Sequence, residues 1–340
     1  MRNQILIGSA AVTGLGLLLL RTRRRLDLRG KVVLITGGSR GLGLALAREF
    51  AAHGSDLALC ARSAEELEHA RQDLAGNEGT VRTFVCDVRD RGQVEKLVTD
   101  VLAACGRIDV LVNNAGTICV GPVETMALED FRDAMDVMFW GMVYTTLMVL
   151  PHFRQAGSGA VVNITSVGGK VSVPHLVPYN CAKFAAVAFS EGLRAELNKS
   201  GIKVVTIAPG LMRTGSFLNA SFKGAEPAES AWFTASASLP GISMSARRAA
   251  RQIVRALEQG RAERILTTSA NLLARFHGLF PETSLAVLDL VDRLLPAGSE
   301  RARLGRETAV LERPWMRAIT YLGRRAAREH LQYSATAGRE

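Results

Sequence analysis

The sequence predicts a doubly wound α/β fold, a parallel sheet of about seven strands with helices on both faces. Three observations carry that expectation. Short β-branched runs alternate with longer amphipathic segments from Val32 to Leu266, the pattern of repeated strand–helix units. The strands read as buried runs, as a sheet covered on both faces requires. A glycine cluster, Thr36-Gly37-Gly38-Ser39-Arg40-Gly41-Leu42-Gly43, stands between the first strand and the first helix. There a sharp turn and a helix N-terminus together suit a pyrophosphate, because the first helical N–H groups lack partners and the dipole favours an anion.

Taken in order, Val32–Thr36 opens the sheet and a helix over 42–53 follows the glycines. Leu57–Cys60 precedes a helix over 63–75, and Val81–Cys86 precedes one over 90–105. Val110–Asn113 leads to a long helical pattern over 125–155, and Ala160–Thr165 to a helix over 178–199. Lys203–Ala208 runs into an insertion over 211–241 that is rich in Phe217, Leu218, Phe222, Trp232 and Phe233. A helix over 245–259 and a strand Arg264–Leu266 complete the alternation. Ligands of such sheets bind beyond the carboxyl ends of the strands.

Tyr179 and Lys183 are one helical turn apart, so phenol and ammonium share a helix face. A tyrosine with an ordinary pKa near 10 is a poor acid–base catalyst at neutral pH, and an adjacent cation stabilises its phenolate. Ser166, thirteen positions upstream of the tyrosine, offers a hydroxyl that can hold a carbonyl oxygen while the tyrosine protonates it.

Together these motifs, with Asp87, Asn113-Asn114-Ala115-Gly116, Pro209-Gly210 and Thr214, resemble the short-chain dehydrogenase/reductase family in order and spacing. The resemblance covers about residues 29–267. It implies a Rossmann-like fold and a nicotinamide cofactor cradled by Gly37, Ser39, Arg40, Gly41, Leu42 and Gly43. By the same resemblance Asp87 and Val88 hold the adenine and Asn114 steadies the middle of the cofactor. Lys183 reaches the nicotinamide ribose, Thr214 with Pro209 and Gly210 meets the nicotinamide end, and Ser166, Tyr179 and Lys183 are catalytic. The insertion at 211–241 falls where the family keeps its substrate lid, with packing of the loop on its own aromatics as the other reading. One departure stands out: Met138 takes the place of a family asparagine that positions a proton-relay water, and a thioether cannot replace an amide side chain.

Charge argues for NADP(H). The second strand ends Leu59-Cys60-Ala61-Arg62 with no acid to bind the ribose hydroxyls or to repel a 2′-phosphate, and Arg40 and Arg62 can converge on that phosphate.

Ile5 to Leu20 is an uncharged run of sixteen residues followed by Arg21-Thr22-Arg23-Arg24-Arg25. It has too weak an n-region and no small-residue cleavage site for a secretory signal. We therefore read residues 1–28 as a single membrane anchor with a basic linker, and the arginines place the catalytic domain on the cytoplasmic side. The net charge of +10 is concentrated at the two ends of the chain, which suits an anionic membrane surface rather than nucleic acid. The five cysteines have no Cys-x-x-Cys spacing and the six histidines no ligand spacing, so no disulfide and no metal is expected. Cys181 is expected in the core or against a subunit, and His175 along the substrate channel.

The organisation expected is thus an anchor at 1–28, an NADP-binding catalytic domain at 29–267, and a helical basic extension at 268–340. Within the extension, 272–296 could pack on the core, mediate dimerisation, or lie in the membrane interface, and the protein could assemble as a homodimer or homotetramer. Beyond Pro296 the chain is expected to be poorly ordered at its end. The substrate expected is a lipophilic carbonyl or alcohol.

Overall fold

The computed structural model describes residues 25–296, 302–308 and 313–333; the apolar run at 5–20 lies outside them. The strands are β1 (Val32–Thr36), β2 (Asp56–Ala61), β3 (Val81–Val85), β4 (Val110–Asn113), β5 (Gly159–Ile164), β6 (Ile202–Ala208) and β7 (Glu263–Ile265). They form one parallel sheet in the order β3-β2-β1-β4-β5-β6-β7. The order reverses between β1 and β4, the switch point at which such sheets bind ligands.

Successive residues of a strand face opposite layers. Val33, Ile35, Val110, Val112 and Val205 join one core, against α1 (Gly41–Ala52) and the later helix 246–258. Leu34, Leu111, Val161 and Val204 join the other, against α3 (Arg91–Cys105) and the helix 141–156. Between α1 and α3 lies α2 (Ala64–Asp73), whose N-cap Ser63 side chain accepts the Glu66 N–H at 3.2 Å.

The long helical pattern is interrupted. α4 (Leu128–Met135) passes through a π turn at Asp136–Trp140 into α5 (Gly141–Ala156). Among the described residues this 128–156 stretch is the one long and apolar enough to cross a membrane, yet it lies on the sheet with Val149 and Phe153 fully buried. The helix carrying Tyr179 is α6 (Val177–Leu197).

A buried polar ladder fixes α5 and α6 to the strands. Asn113 Nδ2 donates to Thr146 Oγ1 at 3.0 Å and to Asn163 Oδ1 at 2.9 Å, while its Oδ1 accepts from Thr145 Oγ1 at 2.6 Å. Asn163 Nδ2 continues to Ser190 Oγ at 3.0 Å, which meets Thr206 Oγ1 at 2.7 Å. Such a network is stable only while every member is satisfied. Asn113→Ala takes the donor away from buried Thr146 Oγ1 and Asn163 Oδ1, while Thr145 Oγ1 keeps the Gly141 carbonyl at 2.8 Å. It is expected to lower stability by about 3 kcal/mol, read from urea unfolding, and a change below about 1 kcal/mol would contradict this account.

The 211–241 insertion folds into α7 (Glu226–Ser238) and a short strand Ser221–Lys223, which pairs with Cys119–Val120 and Ala302–Leu304. Its aromatics Phe217, Phe222 and Phe233 pack together with Met316 and Ala327 of the extension. α8 (Ala246–Glu258) precedes β7, and α9 (Thr268–Leu279) and α10 (Pro281–Asp292) follow it. Of the three readings of 272–296, packing of its large apolar side chains on the core does not form. Leu272, Leu279, Phe280, Leu290 and Leu294 are more than half exposed, because the helical hairpin lies outside the two layers already closed over the sheet.

The extension is folded over 313–333, and the chain end expected to be poorly ordered lies outside the described residues. α11 (Pro314–Ile319) and α12 (Tyr321–Glu329) dock back on the fold, burying Met316, Ala327 and His330.

Candidate active site

One cleft of about 750 Å³ lies at the carboxyl ends of the strands, and the residues expected to bind cofactor or act as the Ser166, Tyr179 and Lys183 set all line it. Its floor is the glycine turn. Gly37 and Gly41 have φ of 62° and 59°, a region costly for other residues. A Cβ on Gly43 would lie 1.9 Å from the Gly37 carbonyl oxygen, so backbone closeness excludes any side chain there. The first turn of α1, with Leu42 and Gly43, faces the cleft and is a cradle for an anion.

Asn114 is committed to holding that turn. Its Nδ2 donates to the carbonyls of Thr36 and Gly37 at 3.0 and 3.1 Å, and the Asn114 and Ala115 N–H groups donate to Thr36 Oγ1. On the cleft wall beyond β3, Asp87 is bound by Arg89 at 2.7 Å, and Val88 packs under Gly141, where an added Cβ would lie 2.8 Å from Val88 Cγ2. At the other end the Pro209 carbonyl accepts the Val167 N–H at 2.8 Å, and Gly210 lies against Thr267 and Ala270. Thr214 is buried with its hydroxyl accepting the Ser216 N–H at 3.3 Å.

Ser166, Tyr179 and Lys183 converge at this end. The Ser166 hydroxyl caps a short turn by accepting the Gly168 N–H at 3.0 Å and also hydrogen-bonds the Tyr179 phenol. Lys183 Nζ donates to the Ile164 carbonyl at 2.9 Å and stands 5.7 Å from the Tyr179 ring centre. Burial pushes the lysine down to about 8. Burial also holds the tyrosine above its ordinary value, with the Ser166 hydrogen bond pulling the other way. The phenol thus stands above rather than below its ordinary value in the protein alone, because desolvation of the phenolate outweighs the Ser166 hydrogen bond.

Met138, fully buried in the π turn, packs with Ala134 and Ala182 against Tyr179. His175 does not line the cleft. It is buried with φ 61°, its Nδ1 2.7 Å from Glu229 Oε1 and its Nε2 3.6 Å from Asp292 Oδ1, so it ties the insertion and α10 to the loop before α6. Cys181 is exposed rather than in the core, since it lies on the outer side of α6.

Three cleft residues escaped the sequence. Glu66 Oε1 takes Arg40 Nη1 at 2.9 Å and Glu66 Oε2 takes Ser39 Oγ at 3.0 Å, so an acid from α2 reaches the place where none ends β2. Its only signal was Ser63-x-x-Glu66, a helix-start pattern. Asn219 and Gln332 are the others: Gln332 accepts from Asn219 Nδ2 at 2.7 Å and abuts Gly41, whose N–H donates to the His330 carbonyl at 2.8 Å. The C-terminal segment therefore forms a wall of the cleft, clamped by Arg48 to the Glu329 carbonyl at 2.8 Å.

That wall is expected to respond to pH. Burial and then the Arg48 guanidinium push His330 down to about 4, against about 6.5 for an undocked imidazole. The undocked segment takes up a proton between those values that the docked one refuses. Docking is thus intact above pH 6.5 and weakens as pH falls toward 4. Hydrogen exchange over 321–333 is expected to lose protection at pH 5 relative to pH 7, and His330→Gln to flatten the difference; equal protection of the wild type at both pH values would refute it.

The comparisons with known proteins agree with this geometry. The family described as short chain dehydrogenase matches residues 31–222. The mouse protein named "Dehydrogenase/reductase SDR family member 7B" is 36% identical over 220 residues, 64% of this chain and 68% of its own. D-threitol dehydrogenase of Mycolicibacterium smegmatis is 36% identical over 190 residues, 56% of this chain and 72% of its own. The crystal structure of a short-chain dehydrogenase from Streptomyces avermitilis superposes with a TM-score of 0.66 at 33% identity, covering 78% of this chain and 99% of that one. The chain belongs to the short-chain dehydrogenase/reductase family, oxidoreductases that bind a nicotinamide cofactor.

Proposed function

We propose that the protein is an NADP(H)-dependent oxidoreductase, anchored at a membrane with its catalytic domain in the cytoplasm, that interconverts a lipophilic carbonyl and its alcohol. Steroids, retinoids and long-chain keto-lipids are the substrate classes in view. The observation that carries the reading is the convergence of Ser166, Tyr179 and Lys183 at one end of a cleft whose other end holds Arg40 and Arg62. Arg306 from the extension adds a third positive charge close to Arg40.

The glycine turn fits a pyrophosphate, since only bare backbone is tolerated at Gly43. Leu42 and Gly43 would hold it, and Arg40 and Arg62 would take a 2′-phosphate. When bound, the cofactor supplies or accepts the hydride. Ser166 donates a hydrogen bond to the substrate oxygen, Tyr179 gives or takes the proton at that oxygen, and Lys183 stabilises the phenolate. The exposed apolar hairpin α9–α10 supports a lipophilic substrate and a membrane setting. Exposed Trp140, Leu147 and Phe184 on the helices α5 and α6 and the π turn support a homodimer or homotetramer.

Met138 favours a second reading, a non-catalytic NADP-binding sensor or membrane scaffold, because it places a thioether beside Tyr179. Loss of NADPH absorbance with a panel of hydrophobic ketones and aldehydes separates the two. Turnover of any member supports the enzyme, and tight NADPH binding with no turnover supports the sensor. Deleting residues 1–25 is expected to release a cofactor-binding protein from the membrane fraction, since among the described residues Leu28 is the first that is buried. Retention of the truncated protein would shift the attachment to α9–α10.

A further inference from the structure

A second depression, of about 480 Å³, lies on the outward side of α8 and beside the edge strand β7, away from the catalytic residues. Arg248, Arg251 and Arg255 recur on α8 at three- and four-residue spacing, which puts them on one helix face. Arg261 and Arg264 enter from the turn and strand that follow. All five are exposed and no carboxylate lines the depression. The acids nearest in sequence are engaged elsewhere, Glu258 with His53 at 3.7 Å and Glu263 with Lys170 at 2.7 Å.

Neutral amides are what the arginines meet. Arg261 Nε donates to Gln259 Oε1 at 3.0 Å and Arg264 Nη2 to Gln252 Oε1 at 3.3 Å. Among the described residues none of the five forms a salt bridge, whereas neighbouring Arg247 reaches Glu329 at 3.5 Å. The helix cannot rotate to spread this charge, because Ala249, Ala250, Ile253, Val254 and Leu257 are locked in the core on its other side. Five like charges held together raise a local potential that an anion relieves.

The position of the chain's entry to the fold names the anion. The Leu26 N–H donates to the Glu258 carbonyl at 2.9 Å, next to Gln259, which lines the depression. From Leu20, the last residue of the apolar run, to Leu26 the chain spans at most about 20 Å when fully extended. An anchor in the bilayer therefore keeps this end of α8 close to the headgroups. We propose that the arginine depression binds the phosphate groups of anionic phospholipids and sets how the catalytic domain lies on the membrane. Its assignment to a bilayer rests on the anchor reading above; its affinity for anionic phosphate does not.

Flotation of the full-length protein with phosphatidylcholine vesicles, with and without phosphatidylserine, tests this. Wild type is expected to bind the anionic vesicles more tightly, with the gain fading as salt rises. The variant Arg251→Gln/Arg255→Gln/Arg261→Gln is expected to lose that gain, by about fivefold per arginine. It should retain its binding to neutral vesicles and its melting temperature. Equal binding of wild type to both vesicles, or an unchanged gain in the variant, overturns the site. Arginine-dependent binding of inositol hexakisphosphate without any vesicle gain would assign the depression to a soluble anion and overturn the lipid. An arginine-dependent gain with no binding to neutral vesicles would remove the anchor and leave the site standing.

Discussion

Tyr179→Phe is expected to lower turnover by about 10²–10⁴-fold, the range for losing a general acid, while leaving cofactor affinity within a small factor of wild type. The ring keeps its place in the wall beside Met138 and Ala182, and the glycine turn and Arg40 are untouched. Only the proton-bearing oxygen beside Ser166 is lost. Lys183→Ala is expected to damage both turnover and binding, since its ammonium bridges the end of β5, through the Ile164 carbonyl, to the cleft. Stopped-flow turnover and cofactor titration on the two variants make the comparison. Undiminished turnover in Tyr179→Phe would remove the tyrosine from the chemistry altogether.

The second large effect is expected in cofactor selectivity. Arg40→Gln/Arg62→Gln should weaken NADPH by about 10²–10⁴-fold and NADH little, because two charge-assisted hydrogen-bond donors to a 2′-phosphate are removed at roughly 1.5–3 kcal/mol for each bond. The structure adds a variant of opposite sign. Glu66 occupies both Arg40 and Ser39, and the carboxylate opposes a phosphate at the same place. Glu66→Gln should therefore tighten NADPH relative to NADH. Dissociation constants for both cofactors decide it, and equal losses for the two in the arginine variant would refute the NADP assignment.

Much of this site was legible in the chain because its parts are local. The glycines before α1 and the one-turn spacing of Tyr179 and Lys183 each act within a few residues. Strand and helix periods are local as well, and β1 and β4 have the boundaries expected from the sequence alone. What depends on chains meeting from a distance was not legible. Nothing near β2 announces that Glu66 turns back to the glycine turn, or that His175 pairs with Glu229 instead of lining the cleft. The π turn at Asp136–Trp140 carries no signature in a pattern that reads as one helix.

The C-terminal segment is the clearest case. By composition 313–333 is an arginine-rich tail, and its sequence holds only short apolar stretches. It becomes ordered because Met316 and Ala327 complete the small core begun by Phe217, Phe222 and Phe233. The His330 carbonyl and Gln332 then meet groups of the glycine turn and of Asn219. The sequence by itself determined the sheet, the glycine turn and the one-turn pairing of Tyr179 with Lys183, since periodicity and backbone conformation are set by near neighbours. The tertiary structure alone decided which charges face one another across the cleft and which segment walls it, because burial and long-range pairing exist only once distant elements are packed together.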